Sequence, residues 1–317
     1  MATSTYPATG GFVDNTSADV FIPELWSDEI IASYEKNLKM RPLVKHMSMV
    51  GKKGDTIHIP APVRGSANAK SANTQVTLQG DTHSVVNLSI NKHYEYSVVI
   101  EDIAEVQALS SLRRFYTDDA GYALANQIDD DLFTQSEALQ GGTSGAGVWT
   151  SAFIGGDGVT AYDPTANTNT GNASDITDAG IRKLILLLDN ADVPMDNRCM
   201  VIPPIAANDM LGINRFTEQQ YIGDGNAIKS GKIGSIYGMD VFVSSNCANE
   251  TAADTSTVHR VGLMIHKDAM ALVEQLGVRS QTQYKQEYLG DLFTSDCIYG
   301  VGELRNNAGV AFVVPST

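Results

Sequence analysis

A chain of 317 residues with 43% hydrophobic side chains can bury a sizeable core and is too apolar to stay disordered, so one large domain with insertions or two tightly coupled subdomains is expected. Its 37 acidic residues against 22 basic ones give a formal net charge of -15 with no Lys/Arg-rich run, which excludes tight nucleic-acid binding but is compatible with a wall that encloses DNA without gripping it. Cys199, Cys247 and Cys297 are widely spaced without a CxxC pair, no leader-like N-terminus occurs and no window reaches about 18 apolar residues, so reduced thiols made in a cytoplasm are expected, with no signal peptide and no membrane span.

Residues 1–21 are small and polar and read as an arm that does not fold by itself. Pro23 suits a first helical turn, and Trp26, Ile30, Tyr34 and Leu38 recur every fourth residue until Pro42, which predicts an amphipathic helix of about 17 residues. From Gly51 the period changes to two. Ile57 and Ile59 alternate with polar neighbours, as do Val86, Leu88 and Ile90, which predicts two strands. The stretch between them, Pro62 to Thr82, is too polar for a core, so the whole reads as a long projecting β-hairpin, with a third strand at Tyr94 to Glu101.

Between Ser111 and Gln140, Leu112, Tyr116, Ala120, Leu124, Ile128 and Leu132 stand four apart, which predicts one long helix of roughly 45 Å. Steps of four wind the apolar stripe around the helix, so more than one packing partner is expected. A Gly/Thr/Asn-rich connection with Trp149 and Tyr162 as aromatic anchors follows, ending in a subdomain boundary near Ser174. Alternating structure comes next: helix Ile181 to Asn190, buried strand Cys199 to Ile202, and a helix opened by Pro203-Pro204 through Leu211. Lys232 to Ser245 reads as strand, turn and strand around Gly238, and Leu263 to His266 as a strand. A helix from Asp268 to Glu274 and strands at Ser295 to Leu304 and Gly309 to Val314 complete the expectation.

Signals for chemistry are weak. His46, His58, His83, His93, His259 and His266 include no HExxH and no i,i+4 pair. Asp129-Asp130-Asp131 with Glu137 could attract a hard cation, but successive carboxylates on a helix point in different directions, so a solvated or intersubunit face is expected. Gly141 to Gly147 lacks a GK[ST], Gly231-Lys232 lacks the spaced upstream glycine, no GxSxG occurs, and Asp224-Gly225-Asn226 lacks the other calcium-loop ligands. No catalytic, cofactor-binding or metal-binding residue is assigned, and the chain is not expected to be an enzyme.

Several local motifs carry a resemblance. Leu187-Leu188-Asp189-Asn190-Ala191-Asp192-Val193-Pro194, followed by Asn197-Arg198, Val201-Ile202 and Pro203-Pro204, is one of them. Ile233 to Asn246, with its Tyr237-Gly238 turn, is a second, and His266-Lys267-Asp268-Ala269-Met270-Ala271-Leu272-Val273 a third. Gly290-Asp291 and Tyr299-Gly300-Val301-Gly302-Glu303-Leu304-Arg305 close the series. In this order, behind an arm, a hairpin and a long helix, they resemble the major capsid proteins of tailed bacteriophages with the Hong Kong 97-type fold.

The resemblance implies an α+β fold in named parts: an N-terminal arm with helix (1–50), an extended β-hairpin loop (51–93), a peripheral domain with spine helix 111–140 (94–174), an axial domain with returning strands (175–290), and C-terminal strands of the peripheral domain (291–317). It implies a structural subunit in hexamers and pentamers of an icosahedral head, made in the host bacterial cytoplasm, enclosing double-stranded DNA without sequence-specific binding. Partners would be a portal protein and a scaffolding protein, with a cement protein left open; the short stretch before the first helix suggests a separate scaffold. Some relatives crosslink a loop Lys to a distant Asn. Lys70 and Asn306-Asn307 form such a pair in type, but any long chain offers one, and no crosslink is expected here. The alternatives are an encapsulin-like nanocompartment shell and, in another class, a metal-dependent hydrolase resting on Asp129.

Overall fold

The computed structural model describes residues 39–61, 65, 67–76, 78, 84–102, 112–140, 162, 173–213, 234–251 and 258–315. The expected helix after Pro23, parts of the hairpin (62–64, 66, 77 and 79–83), Trp149, the Asp224 turn and Gly231-Lys232 lie outside these residues. The chain divides into two compact units. One draws its described residues from His93–Ala125 and Val278–Cys297, the other from Leu38–Lys92, Asn126–Gly277 and Ile298–Thr317.

Three helices occur among the described residues: α1 (Leu112–Gln135), α2 (Asp178–Asn190) and α3 (Pro204–Leu211). The expected long helix is shorter than its periodicity suggested. Its 24 α-helical residues span about 36 Å, because the last turn tightens into a 3-10 segment at Ser136–Ala138. Its winding stripe is real: Ala120, Leu124, Ile128 and Leu132 are all buried, and the helix contributes residues to both units.

In the first unit, β4 (Lys92–Glu101) alternates between half-buried and exposed residues along most of its length, as a strand with one covered face should. Ile100, Ala120 and Phe293 form its core, with Tyr96, Val98, Tyr116 and Val278 packed around them. The neighbouring strands are β10 (Met270–Lys285) and β11 (Gly290–Glu303), and with β1 (Lys45–Ser48) they make a four-stranded sheet in the order β1-β10-β11-β4.

The second unit holds a six-stranded sheet. Its path is β12-β9-β5-β7-β6, from β5 (Arg198–Ile202), β6 (Ser235–Ile236), β7 (Met239–Val243), β9 (Val258–His266) and β12 (Gly309–Val314), with β8 (Asn249–Thr251) paired to β9. Every residue of β5, inside the sheet, and of β12, at the end of its path, is buried. The β6–β7 turn has φ of +49° at Tyr237 and +80° at Gly238, the pair of left-handed residues that a two-residue hairpin requires and that glycine supplies without strain. Thr177 caps α2, its Oγ1 accepting from the Gly180 amide at 3.2 Å.

The hairpin is a sheet of its own. β2 (Thr56–Ala61) and β3 (Ser84–Ser89) pair antiparallel from Thr56 opposite Ser89 to Ala61 opposite Ser84. One expectation needs correction. Asp268 to Glu274 is not a helix: after a turn the chain enters β10, whose first four residues are buried and run parallel to β1 with Lys45 opposite Ala271 and Met47 opposite Val273. A short apolar run fits either element, and the β1 partner decides. The second half of β10 and all of β1 carried no prediction.

Gly300 on β11 meets the hairpin closely, since a Cβ there would lie 2.3 Å from the Ser89 carbonyl oxygen. Backbone cannot yield as a side-chain tip can. Gly300→Ala is therefore expected to lower unfolding stability by about 1–3 kcal/mol, measured by chemical denaturation, with Gly277→Ala, which has open space, as the control. Equal stability of both variants would contradict this close approach.

Candidate functional site: the helix carboxylates and the hairpin root

The acidic run on α1 was expected to face solvent or a neighbour, and for two of its three residues the structure corrects this. Asp129 is fully buried, Oδ1 accepting from the Met40 amide at 3.1 Å and Oδ2 from the Lys39 amide at 2.9 Å. Asp131 is also buried, Oδ1 accepting from Lys92 Nζ at 2.8 Å and Oδ2 from the Tyr299 hydroxyl at 2.5 Å. Only Asp130 is exposed. Buried carboxylates persist where every oxygen has a donor, and here the donors come from the segment before β1, the start of β4 and the middle of β11. None of them was legible as a partner from spacing.

Burial pushes the Asp129 carboxyl up to about 6, against the two backbone amides and the nearby Lys39 charge, which pull it down. Asp130 is raised by partial burial and then by its neighbour Asp131. The four oxygens of Asp129 and Asp131 accept from N–H and O–H groups, so these side chains act as braces. Among the described residues no three His, Cys, Asp or Glu side chains come together as a metal site.

The described histidines are dispersed. His46 Nε2 lies 3.1 Å from Glu274, His93 Nε2 3.0 Å from Asp296, and His58 Nδ1 2.6 Å from Asn87 Oδ1. His259 is buried edge-on to Tyr162, their ring centroids 5.7 Å apart, and His266 Nδ1 accepts from the Asp268 amide at 3.1 Å. Asp296 is held below the usual carboxylate range, first by hydrogen bonding to Arg279, which meets it with Nε at 2.7 Å and Nη2 at 2.9 Å. Cys199, Cys247 and Cys297 are buried and form no disulfide with one another, and burial pushes the first two thiols up to about 12, far from reactive thiolates.

The hairpin root is the second feature. Gln275 on β10 donates to the carbonyls of Lys52 at 3.2 Å and Gly54 at 2.8 Å, and the Ile90 amide donates to Asp55 O at 2.7 Å. Beneath it Leu88, Ile90, Ala271 and Val273 form a core with Met47, Met49, Ile57, Ile59 and Val86. Glu274 binds both Arg41 at 3.3 Å and His46. The two-stranded ribbon is thus fixed at its base by apolar packing and one bridging amide. Lys70 is exposed, while Asn307 Oδ1 accepts from Arg305 Nε at 2.6 Å.

No helix among the described residues is long and apolar enough to cross a membrane. The architecture defines a class: an α+β fold of the Hong Kong 97 type. Its solved neighbours include a structure of Mycobacterium phage Che8 at 21% identity and TM-score 0.64, covering 98% of this chain and 94% of that one. The capsid of cyanophage P-SCSP1u is similar at 19% identity and TM-score 0.65 over 87% of each chain, and that of Ralstonia phage GP4 at 13% and 0.63 over 100% and 96%. No curated protein matches the sequence. The family model described as phage capsid protein matches residues 24–304, so the chain belongs to the phage capsid protein family. It is a structural major capsid protein of an icosahedral phage head, located in the virion shell, and not an enzyme. The nanocompartment and hydrolase alternatives are not favoured.

Asp129 supplies a pH test. Its folded value of about 6 lies above the ordinary 3.8, so the folded protein binds this proton more tightly than the unfolded chain. Its penalty is full above about 6 and is relieved as pH falls from 6 towards 3.8. The unfolding free energy of the wild type minus that of Asp129→Asn should therefore rise between pH 7.5 and 4.5. A difference that is flat or falls over this range would contradict the burial penalty.

Proposed function

We propose that this capsid subunit assembles as hexamers and pentamers around double-stranded DNA, with the β2–β3 hairpin as the clamp between neighbouring subunits. The assignment of parts follows the same reading: residues 1–50 as arm, 51–93 as extended loop, 94–174 as peripheral domain with the spine helix, 175–290 as axial domain with returning strands, and 291–317 as closing peripheral strands. A portal protein at one vertex and a separate scaffolding protein are the partners this reading requires, and a cement protein can be added from outside. Synthesis in the host bacterial cytoplasm suits the three buried thiols.

One observation carries the clamp: the hairpin is a two-stranded sheet of its own, anchored at one end, whose far portion exposes Val76 by 61% and Leu78 by 88%. A two-stranded ribbon is marginal in water. The stretch from Gly51 to His93, folded back on itself, reaches at most roughly 65 to 70 Å at about 3.3 Å per residue, further than the core of one subunit needs. Exposed apolar side chains at the end of such a reach are explained by a surface on another subunit.

Expression followed by particle imaging tests the reading, with closed icosahedral shells expected. Replacing Ser66 to Gly80 by an Asn-Gly turn keeps hairpin chemistry and removes the reach. The unassembled subunit should melt nearly as before, because few core contacts are lost, while closed particles become rare or fragile. Shells of unchanged yield and heat resistance from the shortened protein would show that the hairpin is no clamp.

A further inference from the structure

The net charge of -15 hides one stretch without a carboxylate. Residues 39–54 carry Lys39, Arg41, Lys45, Lys52 and Lys53 and no Asp or Glu, which leaves 17 basic and 37 acidic residues for the rest of the chain. Two of these cations are engaged inside the subunit, Arg41 with Glu274 at 3.3 Å and Lys45 with Asp268 at 3.6 Å. Lys52 and Lys53 are not. Both are exposed, and neither has an ion-pair partner among the described residues.

The turn that carries them is fixed. Gly51 at φ +78° and Gly54 at φ +141° bracket the two lysines, and the Lys52 amide donates to Met49 O at 2.9 Å. Gln275 Nε2 donates to the carbonyls of Lys52 at 3.2 Å and Gly54 at 2.8 Å. In a trans peptide the C=O and the following N–H point in opposite directions, so a Lys52 carbonyl turned to Gln275 aims the Lys53 N–H away from it. That N–H donates to no protein acceptor among the described residues. Two ammonium groups and a backbone N–H on one held turn are the donor set that an oxyanion takes. The nearest carboxylate in sequence, Asp55, is engaged by the Thr56 hydroxyl at 3.3 Å. The turn also continues a cationic edge: β1 ends the path of its sheet, and Lys45 lies opposite Ala271, four positions before Gln275. That separation is about 13 Å, over which one strand of a DNA duplex presents about four phosphates.

Resting on the capsid-subunit reading above, we propose that the Lys52–Lys53 turn is a contact point for the phosphate backbone of the enclosed double-stranded DNA. Two lysines meeting two phosphates bind weakly, and a fourfold rise in salt weakens such a contact by about tenfold. A shell repeats the turn in every subunit, so many weak contacts act on one polymer. Contacts to phosphate carry no sequence information, which suits a wall that must accept any stretch of a genome. The acidic remainder of the chain repels DNA, and the turn fixes where the duplex touches.

Lysine acetylation followed by mass spectrometry tests this on DNA-filled heads, emptied heads and unassembled subunits of the full chain. Lys52 and Lys53 should react about fivefold more slowly in filled than in emptied heads at low salt, with the difference shrinking as salt rises and Lys70 as the internal reference. A variant with Lys52→Gln and Lys53→Gln keeps the turn, so its heads should form in normal yield but release DNA at a lower temperature than the wild type. That gap should close at high salt. Arg114→Gln with Arg182→Gln, an equal loss of charge at exposed positions elsewhere, should leave the release temperature unchanged. The proposal is overturned if Lys52 and Lys53 react equally in filled and emptied heads. It is also overturned if they react slowly in both but fast in unassembled subunits, which would assign them to a neighbouring protein. Should the lysine variant form no heads, the labelling of the wild type decides alone. A wild type that forms no closed heads in any condition would overturn the capsid reading itself, and the DNA contact with it.

Discussion

Burying a carboxylate is costly unless donors meet both of its oxygens, and two residues of α1 are buried two positions apart. Asp131 takes a donor from each side: the ammonium of Lys92, where the hairpin ends and β4 begins, and the hydroxyl of Tyr299 in the middle of β11. Asp129 takes its two donors from the backbone at Lys39 and Met40, just ahead of β1. Segments 39–40, 92, 129–131 and 299 are far apart in sequence, and one turn of helix ties them. The end of the hairpin at Lys92 and the segment ahead of β1 at Lys39 and Met40 are thereby fixed to the same turn of helix.

Among the described residues, polar groups of this kind brace the fold. Asp129 and Asp131 are braced by hydrogen bonds, the described histidines are scattered among separate partners, and the thiols are buried. What the subunit does present is surface: an exposed ribbon with its own apolar residues and, on the other unit, an exposed turn of tyrosines and leucine. A shell protein needs such features, because its product is the contact between copies. Gln275, Glu274 and Gly300 show how β10 and β11 serve the root, by bridging two carbonyls, pairing with Arg41, and allowing backbone to approach backbone.

Much of the fold was legible where one period dominated. Leu124, Ile128 and Leu132 marked the long helix, Ile57 and Ile59 with Val86 and Leu88 marked the hairpin, and Pro203-Pro204 marked the start of α3. The resemblance in motif order to the capsid family is matched by the family model over residues 24–304. Where local signals competed, the reading failed. Met270 to Val273 is a short apolar run whose strand state comes from β1, a partner more than 220 residues away, and Arg279 to Lys285 alternates polar residues that only the sheet organises. The acidic run was misjudged for a related reason: helical geometry separates three carboxylates in direction but says nothing about which directions are filled by protein.

If the buried carboxylate is the organising interaction, its partners must be energetically coupled and not merely adjacent. A double-mutant cycle of Asp131→Asn and Tyr299→Phe, read by chemical denaturation of the unassembled subunit at pH 7, measures that coupling directly. An interaction energy on the order of 1–3 kcal/mol is expected, since each single change leaves the other group buried without its partner. Single effects that add to within about 0.5 kcal/mol would contradict the account, because the two side chains would then be neighbours that stabilise the subunit independently.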